Sequence, residues 1–463
     1  MISRRLTLGL LGSLALLAAC AGPAATAPAL EDAPAIVFVH GNGDTADLWQ
    51  STLWRFESNG WPRARLYAIE VPYPSARADD SKAQPGTTST AENMAYLKSE
   101  VDKVLKATST SKVVLFGNSR GGNSIRDYIQ NGGGAATVSH AILGGTPNHG
   151  VWAIKGFREG NEFAGTGAFL TGLNAPKNAA GDEVAGPVKW MTIRSDNNDK
   201  FAQPDGVWIG AKGTATNVTF AGPELKGATN LVIPRIDHRE TSYSPAAFAA
   251  AFQFITGKAP RTTAIENEAT VVLYGNITGR GVSSLDAKSG NDFNNMPIPG
   301  ATLEIFATDA GTGARLGAAA HSKTVGGEGQ WGPFTAQRGV QYEFVVTAPG
   351  YTTTHIYRSP FPRSSNIVHL RPERLADADK TAQSIVTLFR PRGYIDAQRD
   401  KIMLDGQTTL PGVPPSGAGV ASSKMALTSG GVRAISGEFN GERITGRTWP
   451  AAENRAVVLE ITQ

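Results

Sequence analysis

Short apolar runs that end in glycine recur along the first half of the chain. "PAIVFVHGNG" (residues 34–43) and "VVLFGNSRGG" (residues 113–122) both pass directly from apolar residues into a glycine-rich turn. Uninterrupted runs of this kind are typical of strands buried on both faces of a parallel sheet. Between them, residues 89–108 place Leu97 and Val101 on one helical face behind a capping box. The pattern therefore predicts that strands and helices alternate.

The same alternation continues to the end of this half. We expect further strands within residues 65–74, 139–147 and 188–196, followed by one more strand. The stretch "YSPAAFAAAFQFITG" (residues 243–257) is predicted to be the final helix, because a serine N-cap, a proline in the first turn and a glycine C-cap delimit it. These elements predict an α/β domain over residues 34–260. Its parallel sheet is expected to be covered on both faces, with the site at the carboxyl ends of the strands.

Helical patterning largely ends near residue 262. Short alternating runs follow, such as "ATLEIFATD" (residues 301–309) and "YEFVVTAPGY" (residues 342–351), separated by Gly, Pro and Asn turns. This pattern predicts a β-rich C-terminal domain, a barrel or a sandwich, over residues 263–463. Within it, "RPERLADADKTAQ" (residues 371–383) is the one stretch with a helical pattern.

The first 20 residues have the pattern of an export signal. A basic head precedes an apolar stretch, Leu6 to Ala19, that is too short to span a membrane stably. "LAAC", ending at Cys20, resembles the lipobox of bacterial lipoproteins, which implies that Cys20 carries the lipid anchor. A plain signal peptide with an incidental cysteine is the alternative. We expect residues 21–33, rich in Ala and Pro, to form a tether, and the alanine after Cys20 favours outer-membrane retention, facing the periplasm or the surface.

Charge and cysteine content narrow the function classes. The formal net charge of the 463 residues is +4, and two of these charges, Arg4 and Arg5, lie in the predicted signal. The remainder is too small to indicate a nucleic-acid partner. Cys20 is the only cysteine, so the sequence excludes disulfides, a thiolate metal site and a cysteine nucleophile. Nothing in the sequence indicates an organic cofactor. The acidic side chains of "SDNNDKFAQPD" are interpreted as free loop carboxylates, and a structural calcium site there is the alternative.

Ser119 is the candidate nucleophile. It stands in Gly-Asn-Ser-Arg-Gly directly after a predicted strand and before a predicted helix. In a nucleophile elbow, such a turn presents the serine hydroxyl above the sheet, and only glycine tolerates the crowding at the flanking positions. An ordinary glycine-rich turn is the alternative. A base and an acid elsewhere in the chain would favour the nucleophile elbow.

A serine nucleophile needs a base that an acid orients. His238 follows the last strand of the predicted α/β domain and is our candidate base, whereas His149 is interpreted as a turn residue near the pocket. The loop "SDNNDKFAQPDG" follows the preceding strand and supplies the acid, for which both Asp199 and Asp196 are candidates. The resulting chain order is Ser, Asp, His.

That order, together with "HGNG" and "GNSRGG", resembles the α/β-hydrolase superfamily, and "LGGTPNHG" adds a resemblance to its lipase and esterase branch. In that family the acid loop often reads D-x-x-V-x-P, an outline that "DKFAQP" approaches, so the resemblance favours Asp199. It also implies that the oxyanion hole consists of the backbone N–H groups of Asn42 and Arg120. His40 is interpreted as a support of the "HGNG" loop.

Two longer stretches, residues 238–260 and 357–375, resemble archaeal long-chain lipases that carry a C-terminal β-barrel domain. The resemblance implies carboxylic-ester hydrolysis and a second domain that helps to engage lipid. It covers most of the chain after the tether. The acid-bearing loop departs from this resemblance and is closer to the general bacterial pattern, so the acid is not inferred from the archaeal lipases.

The segment from residue 151 to residue 186 is a long insertion between two predicted strands, with Phe163, Phe169 and Leu170 among many Gly and Ala residues. Long loops in compact domains are usually functional or disordered. Our hypothesis is a mobile lid over an acyl pocket, and a static excursion is the alternative. For the whole chain, a polyhydroxyalkanoate-type depolymerase and a non-catalytic envelope or glycan-binding lipoprotein stay open as alternatives to a lipase or esterase.

Overall fold

A computed structural model describes residue 30 and residues 32–279 and 294–463. Cys20, the predicted signal and nearly all of the predicted tether lie outside the described residues. Among the residues that are described, no helix combines the length and the apolar character needed to cross a bilayer.

The first half of the chain forms an α/β layer structure, as its pattern predicts. Its strands are β1 (Ala35–Val39), β2 (Leu66–Ile69), β3 (Ser75–Ala76), β4 (Thr87–Thr88), β5 (Val113–Asn118), β6 (Val138–Gly144), β7 (Lys189–Ser195) and β8 (Thr229–Ile233). Its α-helices are α1 (Gln50–Ser58), α2 (Thr90–Thr108), α3 (Arg120–Asn131), α4 (Ala168–Leu173), α5 (Glu240–Tyr243) and α6 (Pro245–Thr256). Six strands form one sheet in the order β2-β1-β5-β6-β7-β8, and every pair in it is parallel.

Alternate residues of the sheet enter two separate cores. On one face, Phe38 and Phe116 pack with Phe56 of α1 and Phe248 of α6. The other face buries Val37, Val39 and Leu115 against residues of α2 and α3, among them Leu97, Val101 and Ile125. Side chains of a strand point alternately to its two faces, so a wholly apolar strand requires cover on both. The parallel sheet and its two helical layers confirm the predicted fold class for this region.

Local signals in the sequence form as predicted. The Ser89 hydroxyl accepts a hydrogen bond from the Glu92 N–H at 3.2 Å, and the Glu92 carboxylate accepts one from the Ser89 N–H at 2.8 Å. Ser244 caps α6 through the Ala247 N–H at 3.2 Å, and Gly257 ends that helix with φ 73°. These reciprocal contacts satisfy backbone donors that a helix leaves open at its first turn.

The second half of the chain is β-rich. Its strands are β9 (Val271–Leu273), β10 (Thr302–Thr308), β11 (His321–Thr324), β12 (Phe334–Ala336), β13 (Gln341–Thr347), β14 (Thr353–Arg358), β15 (Ser384–Phe389), β16 (Ile402–Leu404), β17 (Ser422–Leu427), β18 (Ala434–Phe439), β19 (Glu442–Arg447) and β20 (Arg455–Glu460). Seven of them form a mixed sheet in the order β11-β10-β13-β14-β20-β15-β17. Smaller sheets, β16-β18-β19 and β12-β9, accompany it. The predicted β-rich region is thus confirmed.

The predicted helical stretch at residues 371–383 is wrong, because only a short 3₁₀ turn, Asp379–Thr381, forms there. The backbone of this segment bonds to β14 and its preceding turn instead. The Glu373 N–H donates to the Thr354 hydroxyl at 2.8 Å, and the Leu375 N–H donates to the Thr352 hydroxyl at 3.1 Å. Tertiary hydrogen bonds therefore replace the helical ones that the pattern suggested.

Helix α1 joins the two regions. Phe56 belongs to the core beneath the parallel sheet, whereas Trp54 is buried in the core of the β-rich region. The Trp54 indole N–H donates to the Ser364 carbonyl oxygen at 2.8 Å, and the Gln50 side-chain amide donates to the Ser365 hydroxyl at 3.1 Å. Since both cores share this helix, the two regions are packed against each other through buried contacts.

Candidate active site

Ser119 occupies the turn between β5 and α3. Its backbone has φ 54° and ψ −122°, a conformation that costs energy for any residue with a side chain. The Ser119 N–H is held by the Gly144 carbonyl oxygen at 2.9 Å, which ties the turn to the neighbouring strand β6. A strained strand-to-helix turn of this kind presents a serine hydroxyl above the carboxyl end of the sheet.

The glycines around Ser119 are there because no side chain fits. A Cβ on Gly117 would lie 2.7 Å from backbone atoms of Gly121 and Gly122, and a Cβ on Gly121 would lie 2.4 Å from the Val39 carbonyl oxygen. A Cβ on Gly41 would lie 2.9 Å from the Ser119 Cβ. A real Cβ atom does not approach other atoms this closely, so substituting any of these glycines would push the serine turn out of place.

His238 and Asp199 form a buried pair. The imidazole Nδ1 lies 2.9 Å from Asp199 Oδ1 and 2.8 Å from Asp199 Oδ2, and the two residues are 3% and 8% exposed. The Phe201 ring meets the imidazole edge-on, with the ring centroids 4.6 Å apart. A carboxylate on Nδ1 fixes the imidazole orientation and keeps the proton on that nitrogen, which leaves Nε2 as the basic nitrogen.

Asp196 does not contact the histidine. It is exposed, and its carboxylate accepts a hydrogen bond from the Arg235 N–H at 2.8 Å. Of the two candidate acids, the structure therefore brings Asp199 to His238. The Asp199 carboxylate also accepts from the Phe201 N–H at 2.8 Å, which orients it from its own loop.

Ser119 and His238 line one pocket of about 210 Å³. Within the described chain, the Ser119 hydroxyl makes no hydrogen bond to another residue. Catalytic contacts in unliganded enzymes are often long and tighten only when substrate binds. Most of the remaining wall is apolar, with side chains from the insertion at residues 151–186 and from the loop after β7: Val151, Trp152, Phe163, Phe201, Trp208 and Ile209. The pocket suits the hydrocarbon part of a substrate.

The two predicted oxyanion-hole residues flank the serine. Asn42 lines its pocket, and Arg120 is the first residue of α3, where backbone N–H groups lack intrahelical partners. In the described residues, neither backbone N–H is used in a hydrogen bond within the protein. The Asn42 side-chain oxygen accepts from the Ala76 N–H at 2.7 Å, which anchors the loop without using its own N–H.

The Arg120 side chain turns away from the serine into a buried ion pair. Its guanidinium donates to Glu162 at 2.8 and 2.7 Å, and the two side chains are 2% and 3% exposed. The same guanidinium donates to the Pro74 and Thr88 carbonyl oxygens. Glu162 belongs to the insertion at residues 151–186, so this insertion is pinned to the residue that follows the nucleophile.

The other two histidines singled out in the sequence have partners of their own. His40 is 2% exposed, and its Nε2 accepts a hydrogen bond from the Val71 N–H at 3.1 Å, as suits a residue that supports the loop. His149 Nε2 lies 2.9 Å from Glu183 Oε1 and faces a neighbouring cavity rather than the pocket of Ser119.

Sequence reasoning did not single out Asp44, Arg239 and Tyr394, which also line this pocket. Asp44 and Arg239 directly adjoin the "HGNG" and His238 segments, so their proximity could have been inferred from those motifs. Tyr394 comes from the β-rich region and reaches the pocket across the junction. No local pattern marks Tyr394, because its position depends on how the two regions pack.

The family models now identify the chain. Residues 33–165 match the model described as lipase (class 2), and residues 272–375 match the lipase C-terminal domain. The chain therefore contains a class 2 lipase domain and a lipase C-terminal domain over these ranges. The first match contains both Ser119 and the "HGNG" loop, and the second lies in the β-rich region. The enzyme is therefore a carboxylic-ester hydrolase that acts on an ester or lipid.

Three solved structures are similar to this lipase. Aspergillus fumigatus lipase B has 15% identity and a TM-score of 0.35 over 52% of this chain, which spans 57% of that lipase's length. Bacillus licheniformis lipase BlEst2 in mature form has 18% identity and a TM-score of 0.35, covering 50% of this chain and 96% of that one. Its propeptide form has 14% identity and a TM-score of 0.36, covering 91% and 94%. No curated protein matches the sequence, and the resemblance to archaeal lipases stays a prediction.

Proposed function

We propose that the enzyme hydrolyses esters through an acyl-enzyme, with Ser119 as nucleophile, His238 as base and Asp199 as the acid that orients it. The observation that carries the proposal is the buried Asp199 carboxylate on His238 Nδ1, beside a serine held in a strained turn on the same pocket. Because Nδ1 is occupied by Asp199, Nε2 is the imidazole nitrogen that accepts the serine proton.

The reaction follows from these positions. Ser119 attacks the ester carbonyl carbon as His238 takes the hydroxyl proton, and the resulting oxyanion accepts hydrogen bonds from the backbone N–H groups of Asn42 and Arg120. His238 then gives the proton to the departing alcohol. Water, deprotonated by the same histidine, attacks the acyl-enzyme and releases the acid. Each oxyanion donor of this kind is worth about 3 to 4 kcal/mol of transition-state stabilisation.

The experiment compares purified residues 21–463 with the same protein carrying Ser119→Ala, on p-nitrophenyl esters from acetate to palmitate. We expect hydrolysis by the wild type and near-complete loss in the variant, with circular dichroism confirming that both are folded. The profile across acyl lengths separates an esterase from a lipase. A folded wild type that hydrolyses none of these esters would contradict the proposal and favour a polymeric ester or a binding role.

We also propose that the enzyme is exported and anchored at the outer membrane through a lipid on Cys20. The support is the "LAAC" pattern after a basic and apolar leader. Growth with a clickable fatty acid should label the wild-type protein and leave a Cys20→Ser variant unlabelled. Equal labelling of both would contradict the anchor, and an unlabelled wild type would favour a plain signal peptide.

A further inference from the structure

The direction of the Asn42 N–H is set by the carbonyl group of the same peptide. The peptide between Gly41 and Asn42 is trans, so its C=O and N–H groups point in opposite directions. Two donors hold the Gly41 carbonyl oxygen. The Asp44 N–H donates to it at 3.3 Å and closes a turn, and His40 Nδ1 lies 3.1 Å from it. The orientation of the Asn42 N–H therefore depends on Asp44 and on the His40 ring.

The His40 ring is in turn fixed by the loop after β2. Its Nε2 accepts a hydrogen bond from the Val71 N–H at 3.1 Å, so the ring proton is on Nδ1. Because a carbonyl oxygen only accepts, this tautomer is the one in which Nδ1 donates to the Gly41 carbonyl oxygen. Val71 is therefore the second residue on which the orientation of the Asn42 N–H depends.

One side chain of the β-rich region binds both Asp44 and Val71. Asn295 is buried, and its Nδ2 donates to the Asp44 carbonyl oxygen at 2.9 Å and to the Val71 carbonyl oxygen at 2.8 Å. Its Oδ1 accepts from the Arg371 guanidinium. A guanidinium only donates, so this contact places the amide oxygen toward Arg371 and the amide NH₂ toward the two carbonyl oxygens. The backbone N–H of Asn295 adds a third bond, to the Pro72 carbonyl oxygen at 2.8 Å.

We propose that Asn295 is a positioning residue for the oxyanion hole. By holding Asp44 and Val71 in place, it keeps the Asn42 N–H directed at the carbonyl oxygen of the substrate. The inference rests on the proposed function and adds to it a residue of the β-rich region. Asn295 does not line the pocket of Ser119, so its effect passes through the "HGNG" loop. Preorganised donors stabilise an oxyanion because they need not reorient during the reaction. Loss of this bridge should lower the rate without changing how the pocket binds the acyl chain.

Asn295→Asp replaces the amide NH₂ by an oxygen, so both hydrogen bonds are lost and a negative charge faces two carbonyl oxygens. We expect kcat for p-nitrophenyl octanoate to fall about 10- to 100-fold, less than the removal of a whole oxyanion donor would cost. Asn267→Asp is the matched control, because Asn267 is exposed, and it should keep the wild-type kcat.

Asn295→Ala removes the same two hydrogen bonds without adding a charge. It should also lower kcat, and it replaces Asn295→Asp if circular dichroism shows that the aspartate variant does not fold. A folded Asn295 variant with the kcat of the wild type would overturn the inference.

A pair of inhibitors separates the oxyanion hole from the rest of the pocket. Octyl trifluoromethyl ketone forms an anionic tetrahedral adduct with a serine nucleophile, whereas the corresponding alcohol cannot. In the folded Asn295 variants, the inhibition constant of the ketone should rise by about the factor by which kcat falls, because both depend on stabilising an oxyanion. The inhibition constant of the alcohol should stay at the wild-type value. Equal weakening of both inhibitors would indicate general damage to the pocket and would overturn the inference.

Ser119→Ala separates the two possible failures. If it abolishes hydrolysis of p-nitrophenyl octanoate while the Asn295 variants keep the wild-type kcat, the proposed function stands and the role of Asn295 is wrong. If the wild type neither hydrolyses that ester nor binds the ketone, both fail together.

Discussion

Arg390 of the β-rich region donates a hydrogen bond to Asp237, the residue directly before His238, at 2.9 Å. Asp237 is 0% and Arg390 3% exposed. The same guanidinium reaches the Glu240 carboxylate at 2.6 Å and the Tyr243 hydroxyl at 2.7 Å. The loop that carries His238 is therefore held by the β-rich region. This region positions the loop through Arg390 and also lines the pocket through Tyr394.

Arg390→Met should inactivate the enzyme and destabilise it. Removing one partner of a buried ion pair leaves the other charge without compensation, at a cost of about 3 to 5 kcal/mol. Chemical unfolding and p-nitrophenyl ester hydrolysis are measured on the same preparation. Arg443→Met, at an exposed arginine, is the control and should change neither quantity. Full activity in a folded Arg390→Met protein would contradict the positioning role.

Asp199→Asn and Asp196→Asn form a matched pair three residues apart. Only Asp199 contacts His238, so its amide variant should lower kcat by about 10⁴, as expected when a triad histidine loses its orienting carboxylate. Asp196→Asn should keep activity close to the wild type. The kcat of each variant is measured by steady-state kinetics with a p-nitrophenyl ester. Equal losses of kcat in the two variants would show that the aspartate assignment is wrong.

Glu162→Gln tests how the insertion at residues 151–186 is held. The change removes the negative charge opposite buried Arg120, so we expect the insertion to open more often and to be cut faster by a protease at low concentration. Glu159→Gln is the control, because Glu159 is exposed and bonds only within its own turn. Equal cutting of the two variants would argue against the ion pair as the anchor.

Limited proteolysis of the wild type, with and without detergent, tests the lid hypothesis itself. Residues 175–180 of the insertion are exposed, whereas Leu170 and Leu173 are buried. If the insertion is a mobile lid, detergent should change the rate or the site of cutting in it. An identical pattern in both conditions would favour a static excursion.

Lys200 should make stability depend on alkaline pH. Burial, with Arg239 nearby, lowers the pKa of Lys200 from 10.5 to about 8. Between these two values the unfolded chain binds a proton that the folded chain has lost, so the stability contributed by this site rises as the pH rises through the window. The free energy of unfolding of the wild type minus that of Lys200→Met should therefore increase from pH 8 to pH 10. A flat difference would show that the amine titrates normally.

Much of the architecture was predictable because its causes are local. The apolar runs of β1 and β5, the capping box at Ser89 and the caps of α6 all depend on neighbours in sequence, and each forms as expected. The helix predicted at residues 371–383 does not form, because the structure of this segment depends on contacts that are distant in sequence. Its backbone donors have partners in β14 and in the turn before that strand, which no short-range pattern reports.

The candidate site likewise combines features that the local sequence predicts with features that depend on tertiary contacts. By itself the sequence determined that Ser119 stands at a crowded strand-to-helix turn and that His238 follows the last strand, because glycine spacing and element order are written along the chain. Only the tertiary structure decided that Asp199 rather than Asp196 meets His238, and that Arg390 and Tyr394 reach the site from the other region. Those contacts join residues far apart in sequence, and they depend on loop paths and packing across the junction that residue order does not specify.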